Sequence, residues 1–121
     1  MAEYLPIRTP GDALVSTASA TITGGTLVAV SGNGTVATAG AASAAWLGVA
    51  AFDAVSGDSV TVYASGVQEL TASGSITAGA QVVSGAGGTV VSSATPAAGT
   101  QVGVALTTAA DGAKVRVKFA R

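Results

Sequence analysis

The order of short landmarks in the first half of this 121-residue chain recurs in the second half. Residues 22–36 read ITGGTLVAVSGNGTV and residues 76–90 read ITAGAQVVSGAGGTV, an offset of 54. Ile22 matches Ile76, Thr23 matches Thr77, Gly25 matches Gly79 and Val28 matches Val82. Gly34-Thr35-Val36 matches Gly88-Thr89-Val90. One residue of slippage later, Gly48-Val49-Ala50 matches Gly103-Val104-Ala105, and Gly57, Val60 and Val62 match Gly112, Val115 and Val117. Self-similarity at a fixed period is the mark of one supersecondary unit used twice. A chain dominated by Ala, Gly and Val resembles itself by chance more readily than most, but the conserved order of landmarks favours an internal duplication. Repeat one runs over about 20–65 and repeat two over about 74–120.

Each half reads as β-structure. Strands are predicted over 26–31, 35–38, 46–52 and 59–64 in the first half, and over 81–84, 89–92, 101–107 and 114–119 in the second. Alternation is clean in the last strand of each. Val60, Val62 and Ala64 share one face; Val115, Val117 and Phe119 share another, with Lys114, Arg116 and Lys118 pointing outward. Asn33-Gly34 offers the two positive-φ positions of a type I′ hairpin turn. Gly57-Asp58 and Asp111-Gly112 read as further turns. Residues 66–72 read as a strand linking the repeats, and no window carries large apolar residues at helical spacing. The fold class is therefore all-β: a small barrel or sandwich built from two similar repeats of about 54 residues. An extended arm over 1–12 precedes a single domain over 13–121.

Composition removes most chemistry. The chain has no cysteine and no histidine, so it offers no thiolate, no disulfide and none of the commonest metal ligand. Its eleven charged residues leave a net charge of −1. The glycine runs Gly32-Asn33-Gly34 and Gly85-Ala86-Gly87-Gly88 invite a phosphate-loop reading. Neither is followed by the Lys-Ser/Thr pair or the helix such a loop needs, so both are read as hairpin turns. Serines and threonines abound, but the only bases on offer are lysines on an outward face and a few scattered carboxylates. Asp53 and Asp58 lie five apart, while Asp12, Glu69 and Asp111 are isolated, and Asp beside Gly has a plain role in turns. No catalytic residue, cofactor or metal ligand is expected.

The N-terminus lacks the basic and apolar regions of a secretory signal. The apolar stretch Val36–Phe52 is barely long enough to span a bilayer and is interrupted by Gly40 and Gly48, so no membrane is expected. The basic residues Lys114, Arg116, Lys118 and Arg121 crowd the last eight positions. Nucleic-acid binders carry a larger basic excess and interleaved aromatics, so no nucleic acid is expected. A solvated edge strand guarded by cations and a surface that docks on an acidic protein both remain open.

Two further features point to partners. Residues 1–12 hold Tyr4, Leu5 and Ile7 on a segment stiffened by Pro6 and Pro10, with Arg8 among them. The segment has too few apolar neighbours of its own to bury these side chains, so Tyr4, Leu5, Ile7 and Arg8 are candidates for docking. Trp46, the single tryptophan, lies in a 40-residue uncharged stretch between Asp12 and Asp53. It is a candidate for the contact between subunits, where Trp is often an anchor, with a core position as the alternative.

The chain resembles a family of head decoration, or capsid cement, proteins of tailed bacteriophages. The resemblance rests on Pro10-Gly11-Asp12, the Ile22–Val28 stretch with Gly24-Gly25, Leu47-Gly48-Val49-Ala50, and Gly57-Asp58 followed by Val60-Thr61-Val62. Gly66-Val67 with Leu70, Ile76-Thr77-Ala78-Gly79, Val102-Gly103-Val104-Ala105 and Asp111-Gly112 with Val115-Arg116-Val117 extend it over nearly the whole chain. It implies a small all-β virion protein without enzymatic activity, bound to the major capsid protein on the outer surface of an icosahedral head. It also implies homotrimers that reinforce the shell after expansion. The family has no sharply defined functional residues to carry over. Alternatives are a β-rich virion fibre or tail component, and a carbohydrate- or ligand-binding module with Trp46 and Tyr63 as its only aromatic platforms.

Overall fold

The computed structural model describes residues 13–120 and consists of ten short strands. The first five are β1 (Leu14–Ala18), β2 (Leu27–Gly32), β3 (Thr35–Thr38), β4 (Trp46–Ala50) and β5 (Ser59–Tyr63). They form a closed barrel in the order β1-β3-β2-β4-β5, because β1 pairs antiparallel with β5 and parallel with β3. The second five are β6 (Val67–Thr71), β7 (Gln81–Ser84), β8 (Val90–Ser92), β9 (Gln101–Ala105) and β10 (Lys114–Phe119). They form a sheet in the order β6-β10-β9-β7-β8, the same neighbours opened at one seam. A single parallel bridge, Ala72 to Val90, spans that seam at the position where Ala18 meets Val36 in the first unit.

The duplication holds at the level of register. Val15 opposes Thr61 as Glu69 opposes Arg116, and Val49 opposes Tyr63 as Val104 opposes Lys118. Val28 opposes Thr38 as Val82 opposes Ser92. Both β2–β4 and β7–β9 carry an irregularity at the same step. The cores agree residue by residue. Ala18, Ile22, Val28, Val36, Ala50, Ala54, Val60 and Val62 fill the first unit. Their counterparts Ala72, Ile76, Val82, Val90, Ala105, Ala109, Val115 and Val117 fill the second. The small residues explain how five strands curl this tightly: Val and Ala fit a narrow interior where larger side chains would not.

Gly48 and Gly103 are matched for the same reason. A Cβ on Gly48 would run into the Tyr63 carbonyl, and one on Gly103 into the Lys118 carbonyl. Close approach of backbone to backbone there admits only glycine. The β2–β3 turn differs from its expected form. Gly34 takes a φ of 74°, but Asn33 is not among the positive-φ residues, so the turn is not type I′. An irregularity between Val30 and Gly32 takes up the register instead.

Two other expectations are corrected. The segment read as a linking strand is β6, the first strand of the second unit and the counterpart of β1, so each unit begins earlier than its matching landmarks suggested. β10 is not an edge strand: it is hydrogen-bonded to β6 on one side and β9 on the other. The apolar stretch Val36–Phe52 forms β3, a loop and β4.

The units are joined through an asymmetric contact. Leu27, Ala39, Trp46 and Val49 of the first unit belong to the core cluster of the second. The buried Ser84 hydroxyl donates to the Gly40 carbonyl at 2.7 Å and accepts from the Ser43 amide at 2.9 Å, while the Ser84 carbonyl accepts from the Ala42 amide. The Gly88 amide donates to the Ala39 carbonyl. Loop 39–45 of the first unit thus grips β7 and the turn that follows it.

Candidate functional site

Trp46, the candidate for a subunit contact, lies inside the chain. Its ring is 1% exposed and meets Phe119 edge-on, with centroids 5.4 Å apart and planes at 71°. It joins the two units and presents no surface to a second copy or to a sugar. This is the core position held open above; its partner was not foreseeable, because Phe119 lies at the far end of the chain and nothing local pairs them. Tyr63, the other aromatic platform, is exposed on β5. The docking candidates Tyr4, Leu5, Ile7 and Arg8 lie outside the described residues, as does Arg121.

The carboxylates have structural roles. A shallow pocket of about 290 Å³ is lined by Thr21, Ile22, Thr23, Asp53, Ala54, Val55 and Asp58. Asp53 Oδ1 accepts from the Gly24 amide at 2.7 Å, and Asp58 Oδ2 accepts from the Val55 amide at 3.2 Å. Thr108 does for the Ala78 amide what Asp53 does for Gly24. Asp111 Oδ1 accepts from the Gly74 amide at 2.7 Å. These are loop-closing hydrogen bonds. Among the described residues no group of three or more acidic side chains is placed to hold a metal ion.

The basic residues lie together on an outer face. Lys114, Arg116 and Lys118 alternate outward along β10, as period two requires. Lys114 Nζ donates to Thr71 Oγ1 at 2.9 Å. Arg116 lies 3.6 Å from Glu69, with the two side chains 65% and 56% exposed, so this pair contributes little to stability. The same face carries apolar side chains that the sequence reading did not single out. Lys118 sits between Val67 on β6 and Val104 on β9, and Leu106 follows β9 with its amide on the Arg116 carbonyl. All three of these apolar side chains are exposed. Period two alone would put Val102 and Val104 on one face; Val102 is buried and Val104 exposed because the register of β9 against β7 shifts between Gly103 and Gln101, which no local pattern announces.

The family model for phage cement protein matches residues 9–119. The chain belongs to that family. Membership makes this cement protein a structural component of the phage virion, located on the capsid exterior. Among solved structures, it is similar to the head fiber gp8.5 N base of bacteriophage phi29, with 22% identity and a TM-score of 0.71. That alignment covers 90% of this chain and 93% of the other, and it shows a shared fold. Among curated proteins none matches.

Proposed function

We propose that this cement protein binds the major capsid protein on the outer surface of an expanded icosahedral head and stabilises the shell, without catalysis and as a homotrimer. The observation that carries the reading is the family match across residues 9–119. The chemistry agrees, since Asp53, Asp58 and Asp111 serve loops, Glu69 pairs with Arg116 on the surface, and the chain has neither His nor Cys. The N-terminal arm is the proposed anchor. Burying Tyr4, Leu5 and Ile7 would contribute on the order of 5 kcal/mol before entropy is subtracted. Three arms acting through one trimer would multiply a weak contact into firm attachment.

The test is to add the purified protein to expanded, undecorated heads of the same phage. Sedimentation measures binding, and the heads' resistance to heat measures stabilisation. Bound protein and a raised disruption temperature are expected. Heads that neither retain the protein nor gain stability would overturn the reading. Deleting residues 2–9 should leave a folded, soluble oligomer that no longer decorates heads. Full occupancy by the truncated protein would show that the arm is not the anchor. Sedimentation equilibrium of the free protein tests the trimer.

A further inference from the structure

The duplication supplies an internal control. Two units with matched strands, register and interior make the same demands on their inward-facing residues, so a difference between matched outward positions reflects what each face meets. The outer face of β5 carries Ser59, Thr61 and Tyr63; the matched positions on β10 carry Lys114, Arg116 and Lys118. On the neighbouring strand, Val15 is matched by Glu69, and Thr17 by Thr71. The first unit shows that this face folds without any charge. The three cations of the second are therefore not demanded by the barrel. β10 is an inner strand, so they do not guard an edge either.

The apolar residues beneath those cations diverge in the same direction. Val104 is 37% exposed, whereas its counterpart Val49 is 5% exposed, covered where the first unit meets the second. Leu106 stands where the first unit has Ala51, and Val67 where it has Ala13. The second unit thus sets Lys118 and Arg116 among Val67, Val104 and Leu106, with Glu69 as the one acid on the face. Cations around exposed apolar side chains, with none of the described residues over them, make a surface suited to a protein partner of opposite charge. Every basic residue among those described lies on it.

We infer that the outer face of β6, β10 and β9 is a second docking surface, separate from the N-terminal arm, and that its partner is an acidic patch on the capsid shell. Lys118, Arg116 and Lys114 supply the charge, and Val67, Val104 and Leu106 the apolar bed. This rests on the capsid-binding reading above. Charge contacts of this kind act mainly on encounter rate and on the salt dependence of binding.

The decisive variant writes the first unit's residues onto the second: Lys114→Ser, Arg116→Thr and Lys118→Tyr together. The fold is expected to survive, because the matched face already exists in the same molecule. Binding to undecorated heads should weaken by about tenfold or more and lose most of its dependence on salt between about 50 and about 500 mM. A milder variant, Lys114→Gln with Lys118→Gln, keeps the aliphatic stems and should show the same change in smaller measure. The salt series on the unaltered protein needs no variant at all. Binding that is indifferent to salt, or a triple variant that decorates heads as the natural chain does, overturns the inference while leaving the capsid reading intact. A triple variant that changes sedimentation mass instead assigns the face to contacts between copies and overturns it too. So does natural-chain affinity for duplex DNA that the variant abolishes. Failure of the natural chain to bind heads at any salt brings down the capsid reading, and this inference with it.

Discussion

Trp46 shows how much a single residue decides here. In a core built almost wholly of Val and Ala, its ring is the largest fully buried side chain. It packs on Phe119 across the boundary between the units. Trp46→Ala is expected to cost about 3–5 kcal/mol, because the surrounding small side chains have little means of filling the space. Chemical denaturation measures that loss. Sedimentation of the same variant should show the natural oligomeric mass, since the ring faces no neighbour; a changed mass would contradict its interior placement. At this scale the sequence was partly legible. Val28, Val62, Val82 and Val117 could be assigned to matched interior positions from landmarks alone, because period two leaves few choices. Trp46 could not, because its position depends on a contact between residues at distant points of the chain, which no local pattern encodes.

Among the elements, loop 39–45 and β7 make a joint that has no twin. Val30, the counterpart of Ser84, is exposed, whereas Ser84 is buried and bonded to Gly40 and Ser43. Ser84→Ala leaves the Ser43 amide and the Gly40 carbonyl of the loop without their partner, which costs about 1 kcal/mol because both groups are only partly buried. Hydrogen exchange read by mass spectrometry should show faster exchange across 40–45, with the core of the first unit unchanged. Uniform acceleration through both units would show that the joint is not local. Apart from β1, for which no bounds were read, strand positions were readable within a residue or two, since Gly-Asp and Asp-Gly turns bracket alternating runs. Strand neighbours were not. Alternation tells which way Lys114 and Arg116 point, but it is silent on whether β10 has one partner or two. The linking role given to β6 failed for a related reason: its counterpart, β1, shares almost no side chains with it, and only the ladder to β10 reveals the match.

For the molecule as a whole, the two cores are unequal in independence. The first unit is a closed barrel with its own cluster; the second completes its cluster with Leu27, Ala39, Trp46 and Val49 from the first. The intact chain is therefore expected to melt in one transition. Residues 67–121 expressed alone should give no cooperative melt by circular dichroism, and adding residues 1–63 should restore one. A second half that folds alone would show that the shared cluster is dispensable. The open seam between β6 and β8 has one more consequence. Unsatisfied strand edges are where β-proteins recruit one another into aggregates, and a closed barrel offers none. Among the described residues the hazard is confined to one seam. The segment leading into β8 is covered there, for a Cβ on Gly88 would strike Thr26 and Leu27 of the first unit. Solubility of the second unit is thus lent to it by the first, and loosening the joint exposes a sticky edge before either unit has unfolded.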